Sequence, residues 1–209
     1  LSLIRVATYI ETIPEAIEMI EFAAKQGYET TCNLMAISKC TMMQLSKALE
    51  MLAQSPVMGV YIVDSYGALY PKEVRKLAKL FHEKLSSYGK MTGIHAHNNQ
   101  QCAFANTIEA VDLGAKMVDG TYYGMGRGAG NCHLEALMGY FNGKKYHIEP
   151  VLKMVQEEML NLKSQEPTWG YDTSYLITGL ANAHPRDAIA AIKKHDTNFV
   201  EQFKFQSYK

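Results

Sequence analysis

The chain has 209 residues with 21 Lys+Arg against 21 Asp+Glu, so its formal net charge is zero, which excludes an electrostatic grip on nucleic acid or on an anionic membrane as the main activity. With 47% hydrophobic and 20% charged residues it has the balance of a globular chain that can bury a core, and no apolar run approaches the roughly 18 residues of a membrane span. The four cysteines, Cys32, Cys40, Cys102 and Cys132, show no C-x-x-C spacing, which predicts free thiols and a reducing, cytoplasmic location.

The first residues, Leu1 to Val6, read as a strand with no leader pattern ahead of it, and a chain that opens inside a strand without a methionine reads as lacking its beginning. Short β-rich runs then alternate with amphipathic helical patterns every 25 to 33 residues or so, the signature of repeated βα units around a parallel sheet. Five units are expected. Leu3–Thr8 is followed by a helix from Pro14 to about Gln26, which Gly27 ends, and Glu29–Ile37 by a helix that starts at Thr41. Val57–Asp64 leads through Ser65-Tyr66-Gly67 into a helix from Pro71 to about Tyr88, and Lys90–His97 precedes a helix ending at Leu113. The fifth strand, Ala115–Thr121, enters the glycine-rich run Gly124-Met125-Gly126-Arg127-Gly128-Ala129-Gly130-Asn131 and a helix from Cys132 to Phe141. From Ile148 the pattern is helical through Ile192, broken at Pro167–Gly170.

The sharpest chemical feature is Gly93-Ile94-His95-Ala96-His97-Asn98 at the end of the fourth strand. Residues i and i+2 of a strand share a face, so His95 and His97 project together from the strand end where βα sheets place their active sites, an arrangement suited to one divalent metal. Such a metal needs oxygen donors as well, and Asn131 is placed either to supply one or to cap the helix after it. Asp64 and Ser65, at the end of the third strand, are candidates for substrate binding. Tyr122 and Tyr123 either line the mouth of the sheet or pack. Gly124-x-Gly126-x-x-Ala129 between strand and helix nearly matches a dinucleotide fingerprint, but no acidic strand end follows about 20 residues later, and the unit closes the series instead of opening it. Binding of an anion by the backbone amides of this loop stays open.

Together with Ala105-Asn106-Thr107-Ile108 and Asp119, the His-x-His and glycine-rich motifs resemble those of the metal-dependent pyruvate aldolases. These are the 4-hydroxy-2-oxovalerate aldolases of the group that includes hydroxymethylglutaryl-CoA lyase and isopropylmalate synthase. Arg5-Val6-Ala7-Thr8, Asn33-Leu34-Met35 and Tyr61-Ile62-Val63-Asp64-Ser65-x-Gly67 resemble the family's fourth, fifth and sixth barrel strands. The resemblance covers about residues 1 to 142 and implies an α/β fold, a (β/α)8 TIM barrel of which strands four to eight are present. Residues 1–145 would be the C-terminal part of the barrel and 146–209 a helical C-terminal extension. The family's first strand supplies a metal-binding aspartate, an enolate-steadying arginine and a histidine base, and none has a counterpart in this chain.

By the same resemblance His95, His97 and Asn131 ligate a divalent metal, Mn(II) or Mg(II), Ser65 lies near the pyruvate carboxylate, and Tyr175 packs against the reacting end of the substrate. The implied substrate is a small 4-hydroxy-2-oxo acid. The metal stabilises the enolate left when C3–C4 breaks, and a base takes the 4-hydroxyl proton. The Tyr122–Tyr123 pair and the divergent tail set the chain apart from aldolases that hand their aldehyde to a partner dehydrogenase, and a homo-oligomer stays open. The competing readings are an acyl-CoA lyase or Claisen-type synthase on the same barrel, which needs a phosphate-grasping basic patch, and an inactive barrel serving as a binding module.

Overall fold

A computed structural model describes residues 1–143, 145–165 and 169–207. Strands β1 (Leu3–Thr8), β2 (Glu29–Leu34), β3 (Gly59–Asp64), β4 (Met91–Ala96) and β5 (Met117–Val118) form one sheet in chain order. Helices α1 (Ile13–Lys25), α2 (Met42–Gln54), α3 (Pro71–Leu85) and α4 (Ala103–Asp112) connect them, and α5 (Leu134–Tyr140) follows β5. The β1–β2, β2–β3 and β4–β5 pairs are parallel. Consecutive parallel strands, each followed by a helix, are the units of a (β/α)8 barrel, so the fold is α/β of that type.

The chain divides into two compact units. The first, Leu1–Ser65 with Leu69–His95 and Asn106–Val118, holds the sheet. Period-two alternation sorts its strands: Val6, Thr8, Cys32, Leu34, Val60, Ile62 and Ile94 are buried on one face. The helices offer apolar stripes at helical spacing, Ile13, Ala16, Ile20 and Ala23 on α1 and Val74, Leu77, Ala78 and Phe81 on α3. Fully burying side chains such as Ile20, Leu34 and Phe81 stabilises by roughly 1.5–3 kcal/mol each. On the other face Arg5 and Ala7 are exposed, and Asn33 and His95 are half-buried.

Local chemistry accounts for the helix starts. Thr41 forms a capping box with Gln44: its hydroxyl accepts from the Gln44 N–H at 3.3 Å, and its own N–H donates to Gln44 Oε1 at 2.9 Å. Pro71 opens α3, where the Tyr70 N–H donates to Glu73 Oε2 at 2.8 Å. The second strand is shorter than expected because Ala36 adopts a left-handed conformation, φ 51°, which ends the extended run before Ile37.

The second unit comprises Tyr66–Ala68, Ala96–Ala105 and the chain from Asp119 onward. It contains α5, then α6 (Glu149–Met154) and α7 (Leu160–Gln165) joined by a π turn over Val155–Met159, then α8 (Thr173–Leu180), α9 (Arg186–Lys193) and α10 (Phe199–Ser207). The fifth strand ends at Val118 rather than Thr121. Thr121 turns to the segment beyond the glycine run, donating its N–H to Cys132 O and accepting at its carbonyl from the Leu134 N–H. That pairing keeps Cys132 extended and delays α5 to Leu134. Of the expected break at Pro167–Gly170, Pro167 and Thr168 lie outside the described residues, while Trp169 and Gly170 form a bend. The expectation for the C-terminal chain ended at Ile192; α10 lies beyond it.

Candidate functional site

In the first unit the polar face of the sheet is built from alternate strand positions. Register sets Asn33 of β2 opposite Ala7 and Tyr61. The Arg5 guanidinium lies 4.2 Å over the Tyr61 ring and donates to its hydroxyl at 2.9 Å. Gly93 is small because Tyr61 occupies the space beside it: a Cβ there would meet the Tyr61 ring at 2.7 Å. His95 follows two residues later on the same strand face. Asn33 Oδ1 is buried, with no hydrogen-bond partner among the described residues.

Asp64 is 1% exposed, and its Oδ2 accepts from the Leu69 N–H at 3.0 Å, which stabilises the turn after β3. Alternation places it with Val60 and Ile62, on the face opposite His95. Ser65 Oγ accepts from the Ala36 N–H at 2.8 Å, tying the end of β3 to the left-handed residue after β2.

In the second unit Ala96–Asn98 runs antiparallel to Gly130–Cys132. The Asn98 N–H donates to Gly130 O at 2.8 Å and the Cys132 N–H to Ala96 O at 3.0 Å. These two bonds flank His97 and Asn131, making them a narrow, non-hydrogen-bonded pair, the geometry in which opposed side chains lie closest and share a face. Asn131 is not the cap of α5: His133 holds that position, and Asn131 Nδ2 donates instead to Met125 O at 3.1 Å. That bond fixes the amide's orientation and leaves Oδ1 buried, with no hydrogen-bond partner among the described residues. Gly126 lies flush against the amide, since a Cβ there would stand 2.5 Å from Asn131 Nδ2.

The surrounding loop is pinned by residues that motif reading passed over. Asn99, 1% exposed, accepts from the Ala129 N–H through Oδ1 at 3.0 Å, and Asn98 Oδ1 accepts from the Ala103 N–H at 3.1 Å. Gln100 Nε2 donates to Ala68 O and Gly179 O, and Trp169 Nε1 donates to Tyr123 O at 2.9 Å. Apart from the Asn98–Ala103 bond, these contacts join residues far apart in the chain, and no spacing rule announces them.

Tyr175 lies in α8, whose first turn Asp172 caps by accepting from the Ser174 N–H at 2.8 Å. Its ring is 6% exposed and packs in a cluster with Ala129 of the glycine run and Ala188. Burial, and then the Asp172 charge, push its hydroxyl above the ordinary tyrosine range, so it is a neutral O–H donor at neutral pH. An Arg127 guanidinium nitrogen lies 2.6 Å from His184 Nε2, and burial followed by the Arg127 charge pushes the His184 pKa down.

The second unit therefore brings together His97, Asn131 and, through Ala129, Tyr175; the first carries His95, Asp64 and Ser65. The Asn131 amide oxygen, buried and oriented without an internal donor, suits a cation, as do the imidazoles. Among the described residues no three His, Cys, Asp or Glu form a metal-binding group.

The HMGL-like family model matches residues 6–159. The 4-hydroxy-2-oxovalerate aldolase of Bacillus thuringiensis (strain Al Hakam) is 33% identical over 147 residues, 70% of this chain and 42% of that protein. The 4-hydroxy-2-oxovalerate aldolase 1 of Mycobacteroides abscessus is 36% identical over 141 residues, 68% of this chain and 39% of that protein. The chain thus spans about two fifths of the length of these curated relatives. The N-terminal domain of a Bacteroides vulgatus protein described as an aldolase superposes with a TM-score of 0.80 at 27% identity, over 97% of this chain and 67% of that one. The carboxyl transferase domain of Rhizobium etli pyruvate carboxylase superposes at 0.72 with 14% identity, over 99% of this chain and 37% of that one, a likeness of fold alone. From the span of the family match and the identity to these relatives, the chain belongs to the HMGL-like family.

Proposed function

We propose that the protein to which this chain belongs is a divalent-metal-dependent aldolase that cleaves a 4-hydroxy-2-oxo acid to pyruvate and an aldehyde. Support comes from the family, from relatives named 4-hydroxy-2-oxovalerate aldolase and, above all, from the Asn131 Oδ1 atom, buried without a partner and paired across a narrow bridge with His97. His95, His97 and Asn131 hold the metal, Mn(II) or Mg(II). Bound there, the cation supplies Lewis-acid stabilisation of negative charge on a 2-oxo acid.

This chain's residues do the rest of their work as donors and positioners. Ser65 offers a hydroxyl to the substrate carboxylate, and Asp64 holds the turn that carries it. Tyr175, kept neutral, donates its O–H toward the reacting end of the substrate. Residues 1–145 are assigned to the barrel and 146–209 to an extension from it. The proposed setting is cytoplasmic, with a small 2-oxo acid as the partner molecule. No described helix is long and apolar enough to cross a membrane.

The test is pyruvate release from 4-hydroxy-2-oxopentanoate by the full-length protein, followed by coupled reduction with lactate dehydrogenase. Activity should disappear with EDTA and return with Mn(II). The double variant His95→Ala/His97→Ala should retain about a tenth or less of the bound manganese. Unchanged manganese content in that variant overturns the ligand assignment, and metal-independent pyruvate release overturns the mechanism.

A further inference from the structure

The second unit contains a cavity of about 700 Å³. Its walls are largely apolar: Met125, Leu162, Trp169, Tyr175, Ile189 and Ile192. Two of its walls reach the candidate metal ligand directly. The Met125 carbonyl receives the Asn131 amide, and Gly126, also part of the lining, lies against that same amide. Tyr175 belongs to the cavity and to the proposed catalytic set alike. A volume of this size is that of a site for a drug-sized ligand and far exceeds what a methyl group fills.

We infer that this cavity receives the C4 substituent of the substrate, and that the substituent is bulky and apolar, an aryl or medium-length alkyl group. The inference rests on the aldolase reading, and it narrows the substrate class to 4-hydroxy-2-oxo acids that release an aromatic or fatty aldehyde. The reaction balances without a further reagent. The C3–C4 bond of R–CHOH–CH2–CO–COO⁻ breaks, the 4-hydroxyl proton passes to a base, R–CHO leaves, and C3 takes a proton to become the methyl of pyruvate.

Three observations favour this occupant. Met125 and Gly126 belong both to the lining and to the contacts of the Asn131 amide, so the cavity borders the residue proposed to hold the metal. Trp169 lines the cavity with its indole N–H already given to Tyr123 O, so it contributes aromatic surface there, with Lys163 Nζ 4.5 Å from the ring centroid. Arg127 and Lys193 also line the space, which disfavours a cationic tail.

The experiment compares kcat/KM for 4-hydroxy-2-oxo-4-phenylbutanoate and 4-hydroxy-2-oxopentanoate in the full-length, Mn(II)-loaded protein. The phenyl substrate should be favoured by about tenfold or more, and Ile189→Phe, which fills the cavity, should lower that ratio about tenfold. Leu162→Phe, at a more exposed position, should lower it in the same direction. Preference for the methyl substrate, or a ratio unchanged in both variants, overturns the proposal. A second measurement needs no catalysis. Trp169 is the sole tryptophan of these 209 residues, and titration with benzyl alcohol should change tryptophan fluorescence saturably in the wild type and not in Trp169→Phe. No such change in the wild type overturns the cavity assignment. Saturable binding with pyruvate from neither substrate overturns the aldolase reading and upholds an apolar-ligand site.

Discussion

Asn131 shows how one amide is committed to a role. Its nitrogen is taken by the Met125 carbonyl, so its oxygen has one orientation, and no donor among the described residues meets that oxygen. Gly126 is the residue that permits this, because a Cβ there would stand 2.5 Å from Asn131 Nδ2. Gly126→Ala should therefore turn the amide and weaken Mn(II) binding about 10- to 100-fold, the usual range for disturbing the support of a ligand. Isothermal titration with Mn(II) measures this, and unchanged affinity would show that the amide oxygen does not face the ion. His95, His97 and Asn131 could be named from spacing and resemblance. The bonds that decide whether Asn131 caps a helix or stands ready as a donor could not, since they run to Met125 and across to Ala96 and Asn98.

At the level of elements, residue type located strands and helices well wherever short-range chemistry decides them. β1 occupies Leu3–Thr8 as expected, and α2 starts at the expected cap. Because the Thr41 box satisfies two otherwise orphaned donors, Thr41→Ala should cost about 1 kcal/mol, read as a lower urea midpoint with unchanged slope. Two of the shifted ends share a non-local cause. The fifth strand shortens to Met117–Val118 because Thr121 bonds across to Cys132 and Leu134, and α5 starts late for the same reason. Asp64, a candidate substrate ligand from its place at a strand tip, accepts from the Leu69 N–H. Alternation along β3 puts it on the face away from His95, where it steadies the turn that carries Ser65.

For the molecule as a whole, buried titratable groups link stability to pH. Cys32 is 0% exposed, and burial pushes its thiol up to about 12 from 9.0. Between those values the unfolded chain has lost a proton that the folded one keeps, so stability falls as pH rises through the window. The slope from this group is about 1.4 kcal/mol per pH unit. Urea unfolding from pH 9 to pH 12 should show a steeper decline in the wild type than in Cys32→Ala, and parallel curves would refute the assignment. The α/β class and the order of the βα units were legible in the sequence because each unit repeats one local pattern; the helical chain beyond residue 146 has no such period, and neither α10 nor the cavity could be foreseen from it. Since Asn131 is oriented by a main-chain oxygen, every amino acid at position 125 presents the same acceptor. That side chain is thereby released to vary, and on the proposed reading its changes reshape the cavity wall while leaving the amide that would hold the ion undisturbed.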